Sequence, residues 1–280
     1  MSLPLQDIQI VSLATNVPGP VAAAALRDMG AGVLKAEPPG GDPLAFLSAA
    51  WHDELCRGMA RERFDLKSSG DRARFDGHLA AADVLLTSSR PEALTRLGLG
   101  WPDLHLRHPR LSMVSIVGYP SPRQNVAGHD LTYQAEAGLV TPPALPRSLV
   151  SDLAGAQQAV IAVLGLLFAR ERGGEGGFAE IALADSARAF ADPATRGLTS
   201  PDGMLGGALP VYNVYPAREG WVAIAALEVR FRNAIERELN VDAADGEALA
   251  RVFAQRTARE WQAWAEARDL PLVEVVVPRV

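Results

Sequence analysis

Five histidines, His52, His78, His105, His108 and His129, are scattered along the chain, and Cys56 is its single cysteine. No histidine stands in an H-E-x-x-H pattern, and one thiol builds neither a cysteine-clustered zinc site nor an intrachain disulfide. G-x-S-x-G, G-x-G-x-x-G after a strand and the P-loop pattern are all absent, which excludes the usual esterase elbow, dinucleotide fingerprint and phosphate loop. If the chain is an enzyme, its catalysts are carboxylates and one histidine, without a metal. Two places fit that chemistry. Gly128-His129-Asp130-Leu131-Thr132-Tyr133 sets a histidine beside a carboxylate with a tyrosine four residues on, and Asp152 stands just ahead of an apolar run. Histidine and carboxylate side chains are the common proton carriers of general acid–base catalysis.

The elements around them alternate. Apolar, partly β-branched segments at Ile8 to Leu13, Val33 to Ala36, Asp83 to Thr87, Leu111 to Val117 and Phe178 to Leu183 predict buried strands. Helical patterns cover Pro20 to Met29 and Asp71 to Ala82. A long helix, apolar nearly all round and so expected to be central, runs from Leu153 to about Arg170 and ends in a glycine-rich turn. Strands alternating with helices predict an α/β fold, a Rossmann-like doubly wound parallel sheet. Asp192 to Pro210 is rich in Gly, Pro, Ser and Thr and marks a boundary between a large domain, 1–191, and a smaller α/β domain, 192–280. In the smaller one, Trp221 to Ala226 reads as a strand. Helices follow at about Val229 to Asn240, Gly246 to Gln255 and Thr257 to Ala267, and a last strand, Leu272 to Val277, is a candidate to return to the large domain.

The composition narrows the partners. Of 280 residues 48% are hydrophobic and 21% charged, an ordinary globular balance. A net charge of −6 lacks the broad basic field of a nucleic-acid binder or a polybasic membrane anchor. No export signal opens the chain, and the apolar run Ala159 to Ala169 falls short of the ~20 residues that span a bilayer. These features, with the one cysteine, predict a cytoplasmic protein with no nucleic-acid or membrane partner.

The order of several short segments carries more. They are Leu5-Gln6-Asp7-Ile8, Gly19-Pro20, Asp28 through Gly41, Phe64-Asp65-Leu66-Lys67-Ser68, Ala82 through Leu86, Arg90-Pro91, Leu97-Gly98-Leu99-Gly100, Pro109-Arg110-Leu111 and Gly128-His129-Asp130-Leu131. Together they resemble the class III CoA-transferases, whose fold is shared by the α-methylacyl-CoA racemases. His129 before the aspartate, with Tyr133 after it, resembles the racemase branch. The resemblance places the catalytic aspartate at Asp152 and a supporting glutamate at Glu228. It implies an interlocked homodimer acting on an acyl-CoA substrate, with coenzyme A entering as part of the substrate and no other cofactor required.

On that resemblance the first function is an acyl-CoA racemase or epimerase that inverts the α-carbon of a 2-methylacyl-CoA. His129 and Asp152 would each serve one face of the carbon, Tyr133 would orient His129, and Glu228 would keep Asp152 partly protonated. Backbone N–H groups at the start of the helix after Asp152 would receive the enolate oxygen. The alternative is a CoA-transferase in which Asp152 is the nucleophile and passes through an aspartyl-CoA thioester. A third reading is a divergent CoA-binding member without turnover. The family's basic pair for the CoA phosphates falls here on Met59-Ala60, so Arg57, Arg61, Arg63 and Arg90 are the candidate CoA contacts. The same residues also have structural uses: Asp152 as a helix N-cap, Tyr133 as a packing group, Glu228 as a favourable charge at a helix start, and the arginines as solvated surface.

Overall fold

The computed structural model describes residues 3–277. The chain divides into two compact units, Met1–Ala191 and Asp192–Val280. The first is built on strands β1 (Gln9–Ser12), β2 (Gly32–Glu37), β3 (Ala60–Arg63), β4 (Val84–Thr87), β5 (Ser112–Val117) and β6 (Phe178–Ala182). Its helices are α1 (Pro18–Asp28), α2 (Pro43–Leu47), α3 (Ala49–Leu55), α4 (Ser69–Ala81), α5 (Pro91–Arg96), α6 (Trp101–Arg107), α7 (Asp130–Ala137), α8 (Val150–Gly173) and α9 (Leu183–Thr195).

All six strands pair in parallel, in the order β3-β2-β1-β4-β5-β6. Alternate residues of the central strands serve opposite faces. Ile10, Val84, Leu86, Val114 and Ile116 join one core with α1, α7, α8 and α9. Val11, Leu34, Leu85 and Met113 join another with Phe75 and Leu79 of α4 and Leu104 of α6. A sheet buried on both faces needs apolar residues at nearly every strand position, which is why these strands read as continuous apolar runs. Helices on both faces make the unit doubly wound, as the alternation predicts. The strand order reverses direction between β1 and β4, and loops at the carboxyl ends of those two strands open the crevice where such sheets bind ligands.

β3 was not visible in the sequence. Its residues, Ala60-Arg61-Glu62-Arg63, are charged and mostly exposed because it is an edge strand, and charge on an edge discourages pairing with another chain. The long helix α8 is also different from the sequence expectation. It extends from Val150 to Gly173 and is long and apolar enough to cross a membrane by length and composition alone. It is a core helix on one side only: Ala156, Ala159, Val160 and Val163 are buried against the sheet and α1, whereas Ile161 and Phe168 are exposed. Arg170 in its last turn is buried and pairs with Asp83 at 2.8 Å, which fixes the far end of the helix to the sheet.

The second unit contains a three-stranded antiparallel sheet, β7 (Tyr212–Pro216), β8 (Trp221–Ala225) and β9 (Leu272–Glu274), with helices α10 (Val229–Leu239), α11 (Gly246–Phe253) and α12 (Ala258–Glu266). Val222 and Ile224 alternate into a core with Leu249, Phe253 and Trp261, and the Trp261 indole donates to the Phe253 carbonyl at 2.8 Å. Thr257 and Glu260 form a capping box at the start of α12. The last strand pairs within the second unit. β9 pairs with β8, with Leu272 buried in the small core and Val273 exposed, so one apolar residue in its short span decides its face.

Candidate active site

Two cavities open at the carboxyl ends of β1 and β4. The first, about 230 Å³, is walled by Thr15 and Asn16 after β1, Ser88, Ser89 and Arg90 after β4, Gly118 after β5, Gln124 and Val126 through His129 of the next loop, Tyr133 of α7 and Asp152 of α8. The second, about 270 Å³, is lined by Leu13, Glu37, Pro38, Pro39, Phe64, Asp65, Leu66, Lys67, Leu94 and Leu97. Thr15 and Ser89 line both.

His129, Tyr133 and Asp152 therefore meet in one cleft. His129 is the N-cap residue of α7. Its backbone is pinned by Thr132, whose hydroxyl oxygen accepts the His129 N–H at 3.1 Å and donates to the His129 carbonyl at 2.8 Å. The imidazole is exposed. Tyr133 lines the same cleft, and no hydrogen bond joins it to the imidazole among the described residues. The tyrosine ring is buried, packs edge-on against Tyr119 at 5.1 Å, and lies against Gly118 and Gly128. A Cβ at Gly118 would stand 2.3 Å from the Tyr133 hydroxyl and one at Gly128 2.5 Å from its ring, so only glycine admits the tyrosine at both places. Burial, reinforced by Tyr119 and Asp152, pushes the Tyr133 phenol up to about 12, so it stays protonated and able to donate.

Asp152 is not an N-cap. α8 begins at Val150 with Leu149 as its N-cap residue, which places Asp152 in the first turn. Its N–H is not free for a ligand either, because Asp130 Oδ1 accepts it at 3.1 Å. Asp130, on α7, thus caps α8 from another helix and satisfies one of the donors a helix start leaves open. Its Oδ2 accepts from the Gln134 amide, which also donates to the Ser148 carbonyl at 2.9 Å. The Asp152 carboxyl itself has no hydrogen-bond partner among the described residues, and burial first, then the nearby Asp130 carboxylate, push it up to about 7. A helix N-terminus favours an anion by ~0.3–1 kcal/mol, which burial here outweighs.

Asp130 was the residue the sequence reading missed. It stood in the quoted motif, but its partner lies on a different helix, and only a helix start with no side chain of its own to cap it would have hinted at the bond. Within the first unit the carboxylate beside Asp152 is Asp130. Glu228 belongs to the second unit, where it is exposed at the N-cap of α10.

The arginines separate. Arg90 lines the cleft, is exposed, and has no ion-pair partner among the described residues. Arg57, Arg61 and Arg63 line neither cavity. Arg61 is held by Asp53 at 2.9 Å and Glu37 at 3.5 Å. The Phe64-to-Lys67 segment reaches the second cavity, so Lys67 is a cation at the site in their place. No group of three or more potential metal ligands occurs among the described residues.

Comparison with known proteins gives a consistent picture. The profile described as CoA-transferase family III matches residues 5–279. The succinyl-CoA–D-citramalate CoA-transferase of Chloroflexus aurantiacus is 28% identical over 80% of this chain and 61% of its own length. A probable fatty acyl-CoA transferase of Mycobacterium tuberculosis is 32% identical over 66% of this chain and 51% of its own. Human alpha-methylacyl-CoA racemase is 27% identical over 92% of this chain and 74% of its own. A crystal structure from M. tuberculosis superimposes with a TM-score of 0.83 at 25% identity, covering 98% of this chain and 84% of that one. The chain spans about half to three-fifths of the length of the first curated relatives, 61%, 52% and 51%.

Proposed function

Since the chain belongs to CoA-transferase family III, we propose that it is an acyl-CoA racemase or epimerase that inverts the α-carbon of a 2-methylacyl-CoA by proton transfer. The observation that carries this reading is that Asp152 and His129 share one cleft, where burial pushes the Asp152 carboxyl up to about 7. Inversion needs a group that takes the α-proton from one face and another that returns a proton to the opposite face. A carboxyl that titrates at about 7 can hold or release a proton at working pH. His129 and Asp152 come from different helices, so each can address its own face.

The enolate oxygen needs donors. Tyr133 is a protonated phenol at the cleft wall, and the N-terminus of α7 presents backbone N–H groups and a partial positive charge. Arg90 and Lys67 suit the phosphates of coenzyme A, and the mainly apolar second cavity suits its adenine ring. Exposed Ile161 and Phe168 on α8 and Phe190 on α9 are consistent with an interlocked homodimer that covers them.

A CoA-transferase is the second reading, and several relatives' names favour it. The unbonded Asp152 carboxylate would attack the thioester carbonyl and expel CoA thiolate, leaving a mixed anhydride. Thiolate attack on the Asp152 acyl carbon would then release the free acid and leave an aspartyl-CoA thioester. Ionised Asp152 serves that attack, whereas its high titration point serves proton transfer.

The test is α-proton exchange. The protein is incubated with a 2-methylacyl-CoA in deuterated water beside Asp152→Ala and His129→Ala, and α-deuterium is followed by mass spectrometry. Exchange that falls at least about a hundredfold in each variant supports the racemase. No exchange in a protein that binds CoA, with hydroxylamine trapping an Asp152 adduct, selects the transferase.

A further inference from the structure

Lys35 stands within β2, in a sheet whose interior positions are mostly apolar, and its side chain is 0% exposed. A buried ammonium is costly unless its charge and all its protons are answered. Two partners are recorded. Nζ donates to the Ala14 carbonyl at 2.6 Å and to Asp42 Oδ2 at 2.7 Å. Asp42 is equally buried, and its other oxygen accepts the N–H groups of Asn16 at 2.9 Å and Leu44 at 3.0 Å. The pair therefore grips the chain on both sides of Thr15: the carbonyl before it and the N–H after it. Asn16 is held there in the left-handed region, at φ 62°. From the opposite side, Thr15 N–H donates to Ser88 Oγ at 2.8 Å.

Thr15 is one of the two residues that line both cavities, and Asn16 lines the cleft with Asp152. An ion pair of this kind adds little net stability compared with apolar replacements of similar volume. Its value lies in what it fixes. We propose that Lys35 and Asp42 are positioning residues: a buried clamp that sets the backbone of residues 14–16 as the common wall of the two ligand cavities. Neither side chain touches the ligand in this scheme. The proposal rests on the acyl-CoA reading for the identity of the ligand and on geometry alone for the clamp.

The experiment replaces the pair by apolar residues of similar size, Lys35→Met with Asp42→Leu, in the full chain. Three quantities are measured: the melting temperature, amide hydrogen exchange at Thr15 and Asn16, and the dissociation constant for free CoA. The clamp predicts a folded variant with a melting temperature close to that of the parent, faster exchange at Asn16, and CoA binding weakened roughly tenfold because the wall must be ordered on binding. A folded double variant with unchanged exchange and unchanged affinity overturns the proposal. Should the double variant fail to fold, Asp42→Asn and Asp42→Ala decide. Asparagine keeps an oxygen for Asn16 N–H and should retain protection and affinity that alanine loses, whereas parallel losses in both refute a positioning role. A parent protein that does not bind CoA removes the acyl-CoA reading, and the exchange rate at Asn16 still decides the clamp.

Discussion

Replacing Asp152 by asparagine should stabilise this protein while disabling it. The carboxyl titrates at about 7 in the folded chain against 3.8 for an ordinary aspartate. Between those pH values the folded state holds a proton that the unfolded state has released. Stability is therefore fully present below pH 3.8, declines as pH rises toward 7, and levels off above it. At ~1.4 kcal/mol per pH unit the whole interval amounts to roughly 4 kcal/mol, and partial solvent screening of a half-buried group brings this nearer ~2 kcal/mol. Asparagine has the same shape and no charge, and the Asp152 side chain makes no hydrogen bond that would be lost. Urea denaturation of both proteins at several pH values is the assay. Asp152→Asn should match the parent near pH 4 and exceed it by about 2–4 kcal/mol at pH 8. Asp130→Asn, which removes the neighbouring charge, should narrow that gap. A gap that does not change between pH 4.5 and 8, or a variant less stable at pH 8, would refute the assignment of a neutral, buried Asp152.

Two further outcomes test the walls of the site. Gly128→Ala places a methyl 2.5 Å from the Tyr133 ring and must displace Tyr133 and His129 together. Proton exchange should fall by about a hundredfold, the cost of a displacement near 1 Å, in a protein that still shows a cooperative melt. Arg90→Ala should weaken CoA binding about tenfold or more in a calorimetric titration, as loss of a charged hydrogen bond to phosphate does, whereas Arg57→Ala should leave it unchanged.

How much of this was legible depended on how far each residue's partner lies along the chain. β1, β2, β4 and β5 announced themselves because both of their faces are covered, which favours apolar residues at most positions. β3 gave no signal because its residues face water at an edge, and only pairing with β2 makes it a strand. His129 and Tyr133 were legible through the motif that contains them and Asp152 through its place ahead of an apolar run, and the three share a cleft. The start of α8 was not. A local reading places a capping side chain on Asp152, but the cap is Asp130, 22 residues earlier on another helix. Arg61, a cation beside a ligand-lining segment, has its ion pairs with Glu37 and Asp53, and those partners too lie on other elements.

The contact between α1 and α8 has a consequence for mutational tolerance. Alanines recur among their buried residues, Ala22 and Ala23 on one helix and Ala156 and Ala159 on the other, with Gly155 pressed against Leu183. At those positions truncation leaves no sizeable hole, and almost every substitution adds atoms. Where ordinary cores fail by losing volume, this one fails by gaining it, and overpacking costs typically about 1–3 kcal/mol. Single-base changes in alanine codons mostly encode larger residues. Under random drift, these helices should record a far narrower set of accepted changes than the leucine-rich face beneath α4 and α6.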